Sequence, residues 1–283
     1  MIQAQLSAFP PDFRYNGRFP IDLRAPMPPP PEARPLTDID DARAMQDGQD
    51  PTAFFDRHGF VLLPHASRVT DWDAAPQANG YLAEAEALIR THLLPGRRLV
   101  VPPYASLVRR GEGTGNGYAG GVHQDCGIGP DDYQGLVAAF ANPEAAAGWR
   151  AFYDTPEVEG YLLIDFWRTI GMAGPLRHMP LALCDPASVD PADVVMTEIY
   201  GVAPDGRAVP QMVVRRNTAQ RWYYYPGMTG EEVLAFKLFD CRKAEPGALR
   251  SCFHTAFADP TAPADAEPRQ SGEFRVGVFV LKD

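Results

Sequence analysis

The sequence predicts a mainly β protein, a sandwich or barrel-like sheet core buttressed by helices. Three observations carry this. From residue 194 onward the chain is a series of short apolar runs parted by turn residues: Val194–Tyr200, Gln211–Arg215, Arg221–Tyr225, Val233–Asp240 and Phe274–Leu281. Helical periodicity lies ahead of them, mostly before residue 160. No G-x-G unit joins a strand to a helix, so a nucleoside-cofactor methyltransferase finds little support.

The elements follow in order. Residues 1–50 are proline-rich, with Pro28 to Pro31 consecutive, and are read as an N-terminal arm. Phe13, Tyr15, Phe19 and Ile21 give it something to bury, against its own domain or against a second copy in a homodimer. Residues 51–283 are read as a single domain. Pro51–His58 is a helix stopped by Gly59, and Phe60–Leu63 is a strand. Residues 71–95 form the clearest helix, with Tyr81, Leu82, Ala85, Leu88, Ile89 and His92 recurring at three and four. Leu99–Pro102 is a strand. Residues 109–117 are a glycine-rich loop without the order of a phosphate-binding loop, and read as a lid or turn. Residues 130–160 are a helical insertion, with Tyr133, Leu136, Val137 and Phe140 in register. Gly160–Arg168 and Leu181–Asp185 complete the strands.

Bulk composition narrows the function. The chain has 283 residues, 45% of them hydrophobic and 22% charged, enough apolar content for a sizeable core. A net charge of −10 argues against a nucleic-acid partner, because phosphates want a basic footprint. Four cysteines without a C-x-x-C pair give no zinc or disulfide framework. No apolar run spans a bilayer and no leader pattern opens the chain, so no membrane role and a cytoplasmic location are expected.

The chemistry gathers around His123-Gln124-Asp125. On a strand, residues two apart project from one face, so this imidazole and carboxylate can share a metal ion. A distal histidine, His254, would complete a two-His-one-carboxylate triad, the set that holds non-haem Fe(II) and leaves positions open for co-substrate and O2. Beyond it, Arg269, Ser271, Glu273 and Arg275 fall on one face of a strand, with Gln270, Phe274, Val276 and Val278 on the other. A row of guanidiniums and a hydroxyl suits a dicarboxylate, which a planar guanidinium grips with two parallel hydrogen bonds.

His-x-Asp, a distal His and then Arg-x-Ser is the order found in Fe(II)/2-oxoglutarate-dependent oxygenases. More closely, the chain resembles the CmcJ/NvfI-like hydroxylase/desaturase family of secondary-metabolite tailoring enzymes. The resemblance rests on His58-Gly-Phe60, the Tyr81 helix, Phe166-Trp-Arg168, Pro180–Asp185, Trp222–Met228, Glu232–Asp240, His254–Phe257 and Arg269–Arg275. The segment 110–160, and Phe-Trp-Arg where the family has Asn-x-Trp-Arg-Pro, depart from it.

The resemblance implies a double-stranded β-helix (jelly-roll) core over residues 51–283. It implies Fe(II) on His123, Asp125 and His254, and 2-oxoglutarate with its distal carboxylate on Arg269 and Ser271. Arg275 would lie near the other carboxylate or the substrate. The implied reaction hydroxylates or desaturates a small-molecule substrate with O2.

Other residues are weighed alongside. Trp167 and Arg168 face opposite ways by alternation, so at most one lines the pocket; Arg168 is the candidate anion contact, against a structural ion pair. Tyr225, of the run Tyr223 to Tyr225, is a candidate substrate contact against core packing. Lys237 reads as an edge-strand charge in preference to an anion contact. Cys126 faces away from the metal, and His92 and His178 are structural. Two other functions stay open on the residues alone: an iron oxidase that dispenses with 2-oxoglutarate, and a non-catalytic sandwich protein that binds an organic anion.

Overall fold

A computed structural model describes residues 1–25, 35–74, 76–103, 105–111, 118 and 120–283, with backbone alone for 76, 77 and 105–111. The Pro28 to Pro31 run and most of the glycine-rich loop lie outside the described residues.

In chain order the elements are β1 Ile2–Gln5, β2 Phe19–Asp22, β3 Leu36–Asp41, α1 Ala42–Gln46, α2 Pro51–His58 and β4 Phe60–Pro64. Then come α3 Pro76–Asn79, α4 Tyr81–Leu88, β5 Arg98–Val100, β6 Ala105–Gly111, α5 Pro130–Phe140 and α6 Pro143–Tyr153. β7 Val158–Thr169, β8 Leu181–Cys184, β9 Val194–Tyr200, β10 Val209–Val214, β11 Trp222–Tyr224, β12 Glu232–Arg242, β13 His254–Ala256 and β14 Gln270–Leu281 finish the chain.

The larger layer is a sheet in the order β4-β12-β7-β14-β5, with β6 also pairing β14. Facing it are β1-β3-β11-β8-β13 and β10-β9-β2. Two isolated bridges, His123 to His254 and Gln124 to Met212, sew these two sheets together by way of β13 and β10. The architecture is therefore mainly β with flanking helices around a jelly-roll core, as the motifs imply.

Local chemistry explains the helix ends. Asp50 caps α2 by accepting from the Ala53 N–H at 2.9 Å, and Pro51 takes the first helical position, where no N–H is needed. Gly59 ends α2 at φ 75, and a Cβ there would meet Cys252 Sγ at 2.8 Å, so a side chain is refused twice. Asn142 caps α6 by accepting from Ala145 N–H at 2.7 Å. α5 and α6 are the helices that fill most of residues 130–160. They cover the larger sheet through Tyr133, whose hydroxyl lies 2.6 Å from that of Tyr161, and through Trp149, stacked on Tyr153.

Several expectations are corrected. The helix expected over 71–95 is broken at Gly80 (φ 85) into α3 and α4 and closes in a π-helical turn, Ile89–Leu93. His123 and Gln124 lie in bridges and Asp125 in a bend, with no continuous strand. Lys237 is no edge charge: β12 lies between β4 and β7, and the 1%-exposed ammonium pairs with Asp240 Oδ2 at 2.8 Å. The described parts of residues 1–50 enter the chain's own sheets, β1 and β3 beside β11, and β2 parallel to β9.

Candidate metal centre

His123 and His254 face each other as a hydrogen-bonded antiparallel pair. His123 N–H donates to His254 C=O at 3.1 Å, and His254 N–H donates to His123 C=O at 2.9 Å. Such a pair brings side chains on one face together, and the ring centroids lie 4.5 Å apart. The Nδ1 of His123 lies 2.7 Å from Gly121 C=O and that of His254 lies 3.3 Å from Cys252 C=O. A carbonyl can only accept, so both Nδ1 atoms carry a proton, and the Nε2 atoms are the ones that can coordinate a metal when the rings are neutral. The Nε2 atoms face Asp125: His123 Nε2 is 3.4 Å from Oδ1 and His254 Nε2 is 3.8 Å from Oδ2. One ligand atom from each residue lies within 4.8 Å of the others, a donor set and spacing that fit one small divalent cation.

The segment is pinned by neighbours. Gln124, fully buried between the two ligands, donates through its amide to Leu238 C=O and to Ser251 Oγ, and accepts from Cys126 N–H at 2.9 Å. It ties the bridging segment to β12 across the core. Downstream, Asp132 Oδ2 accepts from Ile128 and Gly129 N–H groups at 2.9 and 3.1 Å, while Arg18 of the N-terminal segment pairs with its other oxygen. Gly127 is required for this, since a Cβ would sit 2.2 Å from the Asp132 carboxyl.

Arg275 supplies the main electrostatics. Its Nη2 donates to Asp125 Oδ2 and to Glu273 Oε2, both at 2.9 Å. Burial pushes the Asp125 carboxyl up, but Arg275 and the two imidazoles hold it well below the usual carboxylate range. Asp165, opposite Arg275 on β7, goes the other way: burial, then Glu273 and Asp125, drive its carboxyl well above that range.

The face expected on β14 is present. Directly opposite partners share a face, and the register pairs Ser271 with Thr169, Glu273 with Trp167 and Arg275 with Asp165. Three buried polar atoms of β7 on that face have no hydrogen-bond partner: Asp165 Oδ2, Trp167 Nε1 and Thr169 Oγ1. Buried polar atoms are nearly always satisfied, so such a row is the mark of a ligand's place. Two donors beside Ser271, with a carboxyl that burial makes reluctant to ionise, fit an oxygen-rich anion.

Arg269 is 1% exposed, donates to Met179 C=O, and lies 4.2 Å from the Tyr118 ring and 5.5 Å from the Trp167 ring. Its N–H donates to His178 Nδ1 at 3.3 Å, which brings His178 to this corner. Sequence reasoning missed Gln124, Tyr118 and Thr169. Alternation could have found Thr169, as the next odd position after Trp167.

Two candidates lie elsewhere. Arg168, on the opposite face of β7 from Trp167, donates to the carbonyls of His65 and Gly230 and lies 5.2 Å over Trp72. Tyr225 donates its hydroxyl to Gln46 Oε1 at 2.6 Å and packs edge-on to Phe60. The structure brings neither to the triad.

The jelly roll brings His123, Asp125 and His254 together beside Arg275, a group that could hold a metal ion. The chain belongs to the family described as "Oxidoreductase/YMDC permease-like domain", which matches residues 32–279. Among the described residues, no helix is long and apolar enough to cross a membrane.

It is 30% identical over 136 residues to "Aspirochlorine biosynthesis protein N" of Aspergillus oryzae, covering 46% of this chain and 55% of that protein. It is 32% identical over 125 residues to "Hydroxylase/desaturase efuI" of Hormonema carpetanum, covering 41% and 40%. The chain thus spans about half, or less, of the length of these relatives. In fold it matches the solved structure of the "iron and alpha-ketoglutarate-dependent endoperoxidase NvfI" with a TM-score of 0.70 and 20% identity, covering 99% of this chain and 98% of that one. These are the CmcJ/NvfI-like kin that the sequence motifs imply.

Proposed function

We propose that the protein is a non-haem Fe(II)/2-oxoglutarate-dependent oxygenase that hydroxylates or desaturates a small metabolite of secondary metabolism. The observation that carries the reading is the convergence of His123 Nε2, His254 Nε2 and an Asp125 oxygen, with both Nδ1 atoms turned to carbonyls. The relatives' names, a hydroxylase/desaturase and an iron- and alpha-ketoglutarate-dependent enzyme, support the same chemistry.

The three residues would hold Fe(II) as neutral imidazoles and an ionised carboxylate. The bound metal would supply O2 activation coupled to oxidative decarboxylation of 2-oxoglutarate to succinate and CO2. Arg269 would take one carboxylate of the co-substrate, with Ser271 and Thr169 hydroxyls and the Trp167 N–H beside it. The buried walls, Phe236 at 5.0 Å from the His254 ring among them, would keep water from the reacting C–H bond.

The test is anaerobic absorbance with one equivalent of Fe(II), then 2-oxoglutarate. A weak visible charge-transfer band, absent in His123→Ala and His254→Ala, is expected. Iron bound without a band would point to an oxidase that uses no 2-oxoglutarate. No iron bound would sink the centre and leave an anion-binding protein.

A further inference from the structure

Resting on that reading, we propose that Arg275, backed by Glu273, is the positioning residue that makes Asp125 a one-oxygen metal ligand. Asp125 lies in a bend with no strand ladder of its own, so backbone pairing does not fix its side chain. A carboxylate there could turn about its last torsion, or offer both oxygens to the metal. Arg275 removes that freedom. Its Nη2 carries two hydrogens, one for Asp125 Oδ2 and one for Glu273 Oε2, both at 2.9 Å. Oδ2 is thereby engaged, and Oδ1 is left on the side of His123 Nε2, 3.4 Å away.

The anchor is rigid where the ligand is not. Arg275 sits inside β14, paired to Asp165 of β7 on one side and to Ser106 of β6 on the other. Guanidinium on a metal ligand carries an electrostatic cost, since it repels the cation. Glu273, two residues away on the same face, cancels that charge. The pair orients Asp125 without neutralising the site. Outer partners of metal ligands act in this way, and their loss typically costs about 10–100-fold in metal affinity.

Charge and orientation predict opposite signs, which makes the idea testable. Arg275→Met makes the site more negative, so electrostatics alone would tighten cation binding, whereas lost orientation would weaken it. The experiment is calorimetric titration of the metal-free protein with Co(II), an oxygen-stable probe, without 2-oxoglutarate. Far-UV circular dichroism and melting curves check folding. Native protein is expected to bind one Co(II), Arg275→Met about 10-fold or more weakly, and Arg275→Lys between the two.

If Arg275→Met binds Co(II) as tightly as native protein and loses only 2-oxoglutarate affinity, Arg275 is a co-substrate residue and the proposal is overturned. If native protein binds no Co(II), the metal-centre reading fails and this inference with it. X-ray absorption on native Co(II) protein needs no variant. A single carboxylate oxygen in the coordination shell supports the proposal, and a bidentate carboxylate overturns it.

Discussion

The two faces of β7 are used in opposite ways, one residue apart. On one face Asp165, Trp167 and Thr169 each bury a polar atom without a partner, opposite Arg275, Glu273 and Ser271. On the other, Arg168 is held by the carbonyls of His65 and Gly230 and by the Trp72 and Tyr81 rings. Both faces are buried and both involve an arginine. What separates them is the anchoring: the Arg168 guanidinium is tied by its Nη2 to two backbone carbonyls, with its Nε alone left without a partner, whereas the other face carries a row of three such atoms from successive odd positions, which suits a ligand. The comparison teaches that burial and charge alone do not identify a site.

The sharpest way to break this comparison is a pair of substitutions. Arg269→Met should reduce 2-oxoglutarate affinity on the order of 100-fold, because a buried carboxylate would lose its charged partner. Arg168→Met should leave that affinity within about twofold and destabilise the fold by about 1–3 kcal/mol, since two carbonyls lose their donor. Isothermal titration and denaturant melts read the two effects. A fall in 2-oxoglutarate affinity in Arg168→Met would erase the distinction between the faces.

A smaller effect concerns Asp165. Burial, with Glu273 and Asp125 adding to it, raises its folded-state carboxyl well above its usual 3.8, so folding takes up a proton. Native stability should then fall as pH rises above about 4, by up to about 1.4 kcal/mol per pH unit until the folded group itself ionises. Asp165→Asn has no such slope. The melting temperature of the metal-free variant should gain on native protein between pH 4 and 8, and parallel profiles would show that Asp165 is ionised in the fold.

Much of the architecture was legible because it is periodic. The strands after residue 194, the paired helices near 130–160 and the odd-numbered face of β14 all follow from alternation or from three-and-four spacing. The candidate metal ligands were chosen by residue type, and the structure brings the three together. Long-range pairing was not. The His123 segment is a two-residue bridge between β13 and β10, which no local pattern encodes. Lys237 reads as an edge charge until β4 is placed beside β12. The contact of Arg275 with Asp125, and that of Gln124 with Leu238, join residues far apart in sequence. Gly80 alone gave no warning that the 71–95 helix would break, because an isolated glycine is tolerated in many helices.

The most direct test of the central claim is anomalous X-ray scattering at the iron edge from crystals grown anaerobically with Fe(II) and 2-oxoglutarate. The account predicts one peak about 2.0–2.2 Å from His123 Nε2, His254 Nε2 and an oxygen of Asp125. It also predicts co-substrate density against Arg269 and the Trp167–Thr169 face. A peak elsewhere, or iron on the triad with the co-substrate on the Arg168 side of β7, would contradict it.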